Sequence, residues 1–224
     1  MAKGERFTAV LWSDIEDVHK KVLVHPFITG LGDGTLPHAA FRHYLTQDAH
    51  YLRTYARVLA LCAAKARRDS DVMMFAGHAA NAVAAEQGLH AELFAALGTT
   101  AAAAEAEPVA PATLAYTSFL LATAYDGSYA EAVGAVLPCY WLYARVGQHL
   151  REAGSPDPVF SRWINAYGDT DFQSVVAEVL EATDRLAAEV PEPERELMRA
   201  RNRTAAQYEW MFWDAGYRQE GWPV

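Results

Sequence analysis

An all-α fold, a single-domain helical bundle, is what this chain of 224 residues predicts, and three observations carry the prediction. Ala, Leu, Glu and Arg recur along almost its whole length, and these residue types lose least on entering a helix. Apolar residues repeat at three- and four-residue spacings, the period of one helical face. No stretch alternates as a strand does, and there is neither a hairpin signal nor an internal repeat. With 52% hydrophobic residues, there is enough apolar side chain for one sizeable core over residues 1–224. About eight helices satisfy the pattern.

A first helix runs from about Phe7 to Leu23. His25-Pro26-Phe27 ends it, because a residue before proline resists helical geometry. Gly30, Gly32 and Gly34 then read as a loop closing at Thr35-Leu36-Pro37, with Pro37 suited to the first turn of the next helix. That helix carries Phe41, Tyr44, Leu45, Asp48, Tyr51, Leu52 and Tyr55 and continues to about Ala66. A third spans about Ser70 to Leu97, and Gly98 is a natural stop. Residues 99–111, rich in alanine and holding two prolines, read as a flexible connection between helices. A fourth helix covers about Ala112 to Tyr125. Asp126-Gly127-Ser128 breaks it, and Ser128 supplies the N-cap of a long helix bearing Cys139. Gly154-Ser155-Pro156-Asp157-Pro158 ends that helix. A short one follows to about Tyr167, another from Thr170 to near Pro191, and a last from about Pro193 to Trp213.

Composition excludes several classes of function. The formal net charge is -9, and an acidic surface repels phosphate backbones. No helix-turn-helix with a basic recognition helix is present. No nucleic-acid partner is expected. Two cysteines, Cys62 and Cys139, rule out a disulfide framework or a Cys-rich zinc site and fit a reducing cytoplasm. The opening residues lack a signal-peptide core. No run of about 20 apolar residues provides a membrane span. No metal is expected either. Glu16-Asp17-Val18-His19 has the spacing of a di-iron motif, but such a site needs a second copy and two further glutamates. The eight histidines include no His-x-x-x-His pair backed by a third ligand. Glu86 and His90, four apart, read as a surface or supporting pair. Cys62 reads as a packing residue. The glycines at 30, 32 and 34 follow a helix rather than a strand, so they make no phosphate-binding fingerprint.

Chemistry concentrates in four clusters. Cys139 lies in the apolar, aromatic stretch Ala135 to Tyr143, directly after Pro138. A proline inside a helix removes a backbone hydrogen bond and bends the axis. Cys139 is therefore either a nucleophile at the bend, facing a small aromatic pocket, or a packed core thiol. Tyr143, four residues on, shares its face. In Gln47-Asp48-Ala49-His50-Tyr51, Asp48 and Tyr51 share a helical face with the apolar ladder. An acid there is costly unless partnered. It is either a working carboxylate or one at the edge of the buried stripe. Glu209 and Phe212, three apart, sit within the aromatic run Tyr208 to Trp213. Burial would push such a carboxyl toward neutrality, as a general acid requires. The alternative is an acid at the water boundary. Tyr167, before Gly168, either presents its hydroxyl to a pocket or merely ends a helix.

In their order along the chain these pieces resemble the TenA family, the thiaminase II or aminopyrimidine aminohydrolase group of the haem-oxygenase-like all-α fold. The matching segments are His25-Pro26-Phe27, Gly34-Thr35-Leu36, Phe41 through Leu52 with Gln47-Asp48, Pro138-Cys139-x-Trp141-x-Tyr143, Trp163-Ile164-x-x-Tyr167 and Tyr208-Glu209-x-x-Phe212-Trp213-Asp214. The resemblance implies that Cys139 is the catalytic cysteine, in the cysteine-bearing branch. It implies that Asp48 binds the amino edge of a pyrimidine and that Glu209 serves the leaving group as acid and base. It makes Tyr51 and Phe212 the aromatics flanking the ring, puts Tyr116 and Tyr143 near the cysteine, and has Tyr167 bond a ring nitrogen. The proline-rich 154–158 segment would reshape the entrance.

The implied activity is cofactor-independent hydrolysis of 4-amino-5-aminomethyl-2-methylpyrimidine in thiamin salvage, with thiamin cleavage as a related reaction. The implied assembly is a homotetramer. The alternatives are a ligand-binding or regulatory protein of thiamin metabolism without turnover, or an oxidase or maturation enzyme on the same fold.

Overall fold

The computed structural model describes residues 6–224, with the side chains of residues 85–87 outside the description. Among the described residues every regular element is helical: α1 Phe7–Leu23, α2 Pro26–Asp33, α3 His38–Lys65, α4 Asp69–Ala85, a π turn Glu86–His90, α5 Ala91–Ala96, α6 Ala101–Ala106, α7 Pro111–Asp126, α8 Tyr129–Ala153, α9 Pro158–Gly168, α10 Thr170–Glu189 and α11 Glu192–Arg218. The all-helical expectation holds, but the helices number eleven rather than about eight. None is long and apolar enough to cross a membrane.

The extra helices have local causes. Gly30 and Gly32 do not form a loop. His25 accepts the Phe27 N–H on Nδ1 at 3.1 Å, and Pro26 occupies the first helical position, so a helix starts where one was expected only to end. Phe27, Ile28 and Leu31 anchor it in the core. A Cβ on Gly30 would lie 3.0 Å from the Leu36 backbone, so the absent side chain permits close approach. Of these three glycines only Gly34 takes the left-handed conformation, at φ 78°, as the C-cap, which glycine adopts without strain. Residues 99–111 contain α6, started by Thr100 accepting from Ala103 N–H and sustained by alanine's high propensity. Gln47 pins the rest, donating to Pro108 O at 3.0 Å and accepting from Ala110 N–H at 2.8 Å. The long third helix is interrupted by the π turn. The last helix runs on past Trp213 because Ala215 and Gly216 pack inward.

α8 is the axis of the bundle and packs most extensively on α11; α3 lies against α4 and α7. Ser128 and Glu131 form a reciprocal capping box at its start. The helix passes through Pro138 unbroken. Proline leaves the carbonyl four residues back without its donor, and Asn202 of α11 donates to that Gly134 carbonyl at 3.3 Å. The next carbonyl but one, Val136, accepts from the Tyr55 hydroxyl at 2.8 Å. The carbonyls around the proline are thus held by side chains from two neighbouring helices. At Gly147, a Cβ would meet the Tyr167 backbone at 2.5 Å, so α9 rides directly on α8.

Candidate active site

Four of the expected site residues line one cavity of about 190 Å³ among α3, α4, α8, α9 and α10: Asp48, Cys139, Tyr143 and Tyr167. Leu52, Leu59, Phe172 and Val175 supply its apolar wall, and His78, Asn81 and Tyr140 its polar far end. Cys139 is half-buried because it opens onto this cavity. Asp48 is buried, and its Oδ2 lies 3.0 Å from His90 Nε2. Its Oδ1 has no protein partner and is absent from the fully enclosed polar atoms, which leaves it facing the cavity.

The other four residues do not line the cavity. Glu209 is buried and accepts from the Tyr116 hydroxyl at 2.7 Å. Tyr116 packs on Tyr51 with ring centres 5.1 Å apart, and Tyr51 on Phe212 at 5.7 Å. Two rings with a flat ring between them need about 7 Å, two carbon contact distances. Flanking a pyrimidine therefore requires Tyr51 or Phe212 to turn. The Tyr51 hydroxyl is buried and makes no other hydrogen bond; it lies close to the Cys139 sulfur, where it and Tyr55 act to lower the thiol against the effect of burial.

Burial dominates the electrostatics. It drives the Glu209 carboxyl up to about 8, opposed by the Tyr116 hydrogen bond and assisted by the charge of Asp48. Burial, then the Glu209 charge, holds the Cys139 thiol well above its ordinary value. Tyr51, Tyr55, Tyr116, Tyr143 and Tyr167 are likewise pushed far up by burial, so all five remain hydroxyl donors. The arrangement combines a thiol, a proton-carrying carboxyl and a carboxylate acceptor within a mostly apolar enclosure.

Several participants escape sequence reasoning. Tyr44 exchanges a hydrogen bond with Tyr143 at 3.0 Å, Tyr55 lines the wall, His78 Nδ1 meets the Tyr140 hydroxyl at 3.1 Å, and His90 holds Asp48. Tyr44 and Tyr55 were visible only as ladder residues. Conversely, the 154–158 segment contributes nothing to the cavity wall. Pro156 docks against Gly34 and Asp157 Oδ2 pairs with His38 at 2.7 Å. His19 packs on Trp12, and Glu16 pairs with Lys20. Among the described residues no group of three or more His, Cys, Asp and Glu could hold a metal ion. The Glu86 side chain, expected to pair with His90, lies outside the described residues.

A helical bundle enclosing a small, tyrosine-rich cavity lined by one thiol and one buried carboxyl is a pocket for a compact flat ring. The chain belongs to the TENA/THI-4/PQQC family, whose model matches residues 12–219. It is 37% identical over 199 residues to the aminopyrimidine aminohydrolase of Bacillus subtilis (strain 168), covering 89% of this chain and 84% of that protein. Its fold superposes on the TenA homologue protein from P. horikoshii OT3 with a TM-score of 0.88 at 28% identity, covering 96% and 99% of the two chains. A Shewanella denitrificans OS217 domain with a heme oxygenase-like fold is 16% identical, with a TM-score of 0.73 over 97% of this chain and 94% of that one. The architecture is therefore the haem-oxygenase-like one.

Proposed function

We propose that this protein is an aminopyrimidine aminohydrolase of thiamin salvage, converting 4-amino-5-aminomethyl-2-methylpyrimidine to the hydroxymethyl pyrimidine and ammonia. The observation that carries this reading is the convergence of Cys139, Asp48, Tyr143 and Tyr167 on one small cavity, with a buried Glu209 near enough for its charge to act on the thiol. The relative named aminopyrimidine aminohydrolase supports it over most of both chains.

The substrate's electron-poor ring sits with its amino edge on Asp48 Oδ1 and a ring nitrogen on the Tyr167 hydroxyl. The Cys139 thiol adds across a carbon–nitrogen double bond of the ring, its sulfur to the carbon beside the methylene-bearing one and its proton to the adjacent ring nitrogen. The lone pair of the ring's amino group then pushes in and expels the amine, which leaves as ammonia with the Glu209 proton. Water adds to the resulting exocyclic methylene and returns a proton to Glu209, the ring regains its electrons, and the sulfur leaves with the ring-nitrogen proton to restore the Cys139 thiol. The nucleophile replaces one hard displacement with two easier steps. A raised carboxyl suits the donor's task, because below pH about 8 Glu209 keeps its proton. The apolar wall excludes water from the adduct.

Thiamin is a related substrate, with its thiazole as the leaving group in place of ammonia. The whole chain works as one domain, in the cytoplasm, without a cofactor, and assembles as a homotetramer. Ammonia release from the aminomethyl pyrimidine by purified protein, run beside Cys139→Ser, tests the reading. Turnover lost in a folded Cys139→Ser variant supports both reaction and nucleophile. A folded wild type that releases no ammonia overturns the reading.

A further inference from the structure

His90 has no place in the chemistry above, yet among the described residues it is the one whose side chain hydrogen-bonds the Asp48 carboxylate. Its position comes from a break in helical phase. Along α4 the inward residues fall at Asp71, Met74, Phe75 and His78. Continued at 3.6 residues per turn, the same face would return three turns later at about residue 89. The π turn Glu86–His90 adds a residue to the spiral. As a result His90, Leu93 and Phe94 face inward and are buried, while Leu89 is only half-buried. The extra residue puts an imidazole where an uninterrupted helix would put a leucine.

The ring is then locked. Phe94, one turn on, meets it edge-on at 6.0 Å. A carboxylate only accepts hydrogen bonds, so His90 Nε2 carries the proton of the 3.0 Å contact with Asp48 Oδ2. His90 Nδ1 is buried with no partner at all. An unmatched polar atom in the interior costs stability, and an apolar side chain of similar size would not incur that cost. A histidine placed there for packing is therefore a poor choice. What it provides is a fixed donor on one oxygen of a carboxylate whose other oxygen stays open to the cavity.

We propose that His90 is a positioning residue: its Nε2–H fixes Oδ2 of Asp48 and so holds Oδ1 toward the amino edge of the bound ring. The proposal rests on the aminopyrimidine reading for the identity of that ring. Asp48 sits on a long helix with its own side-chain torsions free. Without the imidazole, the carboxylate rotates and meets the ring off-axis, and small misplacements are expensive in binding and rate.

The test compares His90→Leu and His90→Gln with wild type, using the aminomethyl pyrimidine and the ring's hydroxymethyl product as ligands. His90→Leu should raise KM and the product's Kd by about tenfold or more, with a smaller fall in kcat. His90→Gln keeps a side-chain N–H and should stay within about threefold of wild type on both. A His90→Leu protein that binds as tightly as wild type overturns the proposal. So does a folded His90→Gln protein as impaired as His90→Leu, because the donor would then be irrelevant. Imidazole nitrogen spectra of wild type and Asp48→Ala decide the matter if His90→Leu does not fold. The His90 Nε2–H signal should be present and should move on loss of Asp48; a ring protonated on Nδ1 alone, or one indifferent to Asp48→Ala, overturns it. A wild type inert toward the pyrimidine overturns the functional reading only, and the spectra still decide the Asp48–His90 relationship.

Discussion

The Tyr116 hydroxyl donates to Glu209 at 2.7 Å with both side chains buried. This hydrogen bond draws the carboxyl down while burial drives it up, and the balance falls at about 8. Above that pH the carboxylate has no proton to give a departing amine. The alkaline limb of kcat/KM should therefore show an apparent pKa near 8. Tyr116→Phe removes the lowering contact and should move the limb to higher pH. Glu209→Gln should cost about 10²–10⁴-fold in kcat. Initial rates from pH 6 to 10 check all three.

Stability should record the same group with a definite sign. Glu209 rises from 4.5 to about 8 on folding. Its neutral form is favoured in the folded state, so its contribution is complete below pH 4.5 and is lost as pH climbs toward 8. The full excursion corresponds to roughly 5 kcal/mol. Denaturant unfolding between pH 5 and 8.5 should show this decline in wild type and a much flatter profile in Glu209→Gln.

Cys139→Ser should lose turnover by several orders of magnitude while its Tm stays within a few degrees of wild type, because a hydroxyl is a far weaker nucleophile of similar size. Ammonia assay and thermal unfolding measured together separate loss of chemistry from loss of fold.

Two glycines should respond in opposite directions to one added methyl. At Gly147 a Cβ would stand 2.5 Å from the Tyr167 backbone. Gly147→Ala should destabilise by about 1–3 kcal/mol, a fall of roughly 2–12 °C in Tm. It should also raise KM by displacing Tyr167. At Gly77, in the body of α4, nothing lies within 4 Å. Gly77→Ala should raise Tm by a few degrees, because alanine saves about 0.5–1 kcal/mol in a helix interior. Calorimetric scans of both proteins check the pair.

The long helices were legible because caps and periodicity agree along them. Ser128 caps α8 as expected, and Asp48, Cys139, Tyr143 and Tyr167 meet although they come from three separate helices. The failures share a cause, contacts that sequence spacing does not encode. Gly30 is helical because Leu36 presses against it, and α6 forms because Thr100 caps four alanines. His90 was out of reach because a π turn shifts the phase on which helical-face reasoning depends. Tyr116 and Glu209 were placed by resemblance, but their mutual hydrogen bond joins two helices 93 residues apart.

The aromatic shell gives the site an optical signature of its own. Trp163 lies 4.6 Å from the Tyr167 ring, and Trp213 lies 4.9 Å from that of Tyr143, both fully buried. The other four tryptophans, at 12, 141, 210 and 222, are less enclosed. Excitation at the red edge of indole absorption selects the tryptophans over the tyrosines, and two of the six tryptophans lie tilted against cavity-wall tyrosines. Occupancy of the cavity is thus written in the protein's intrinsic emission, and binding can be followed without label or turnover.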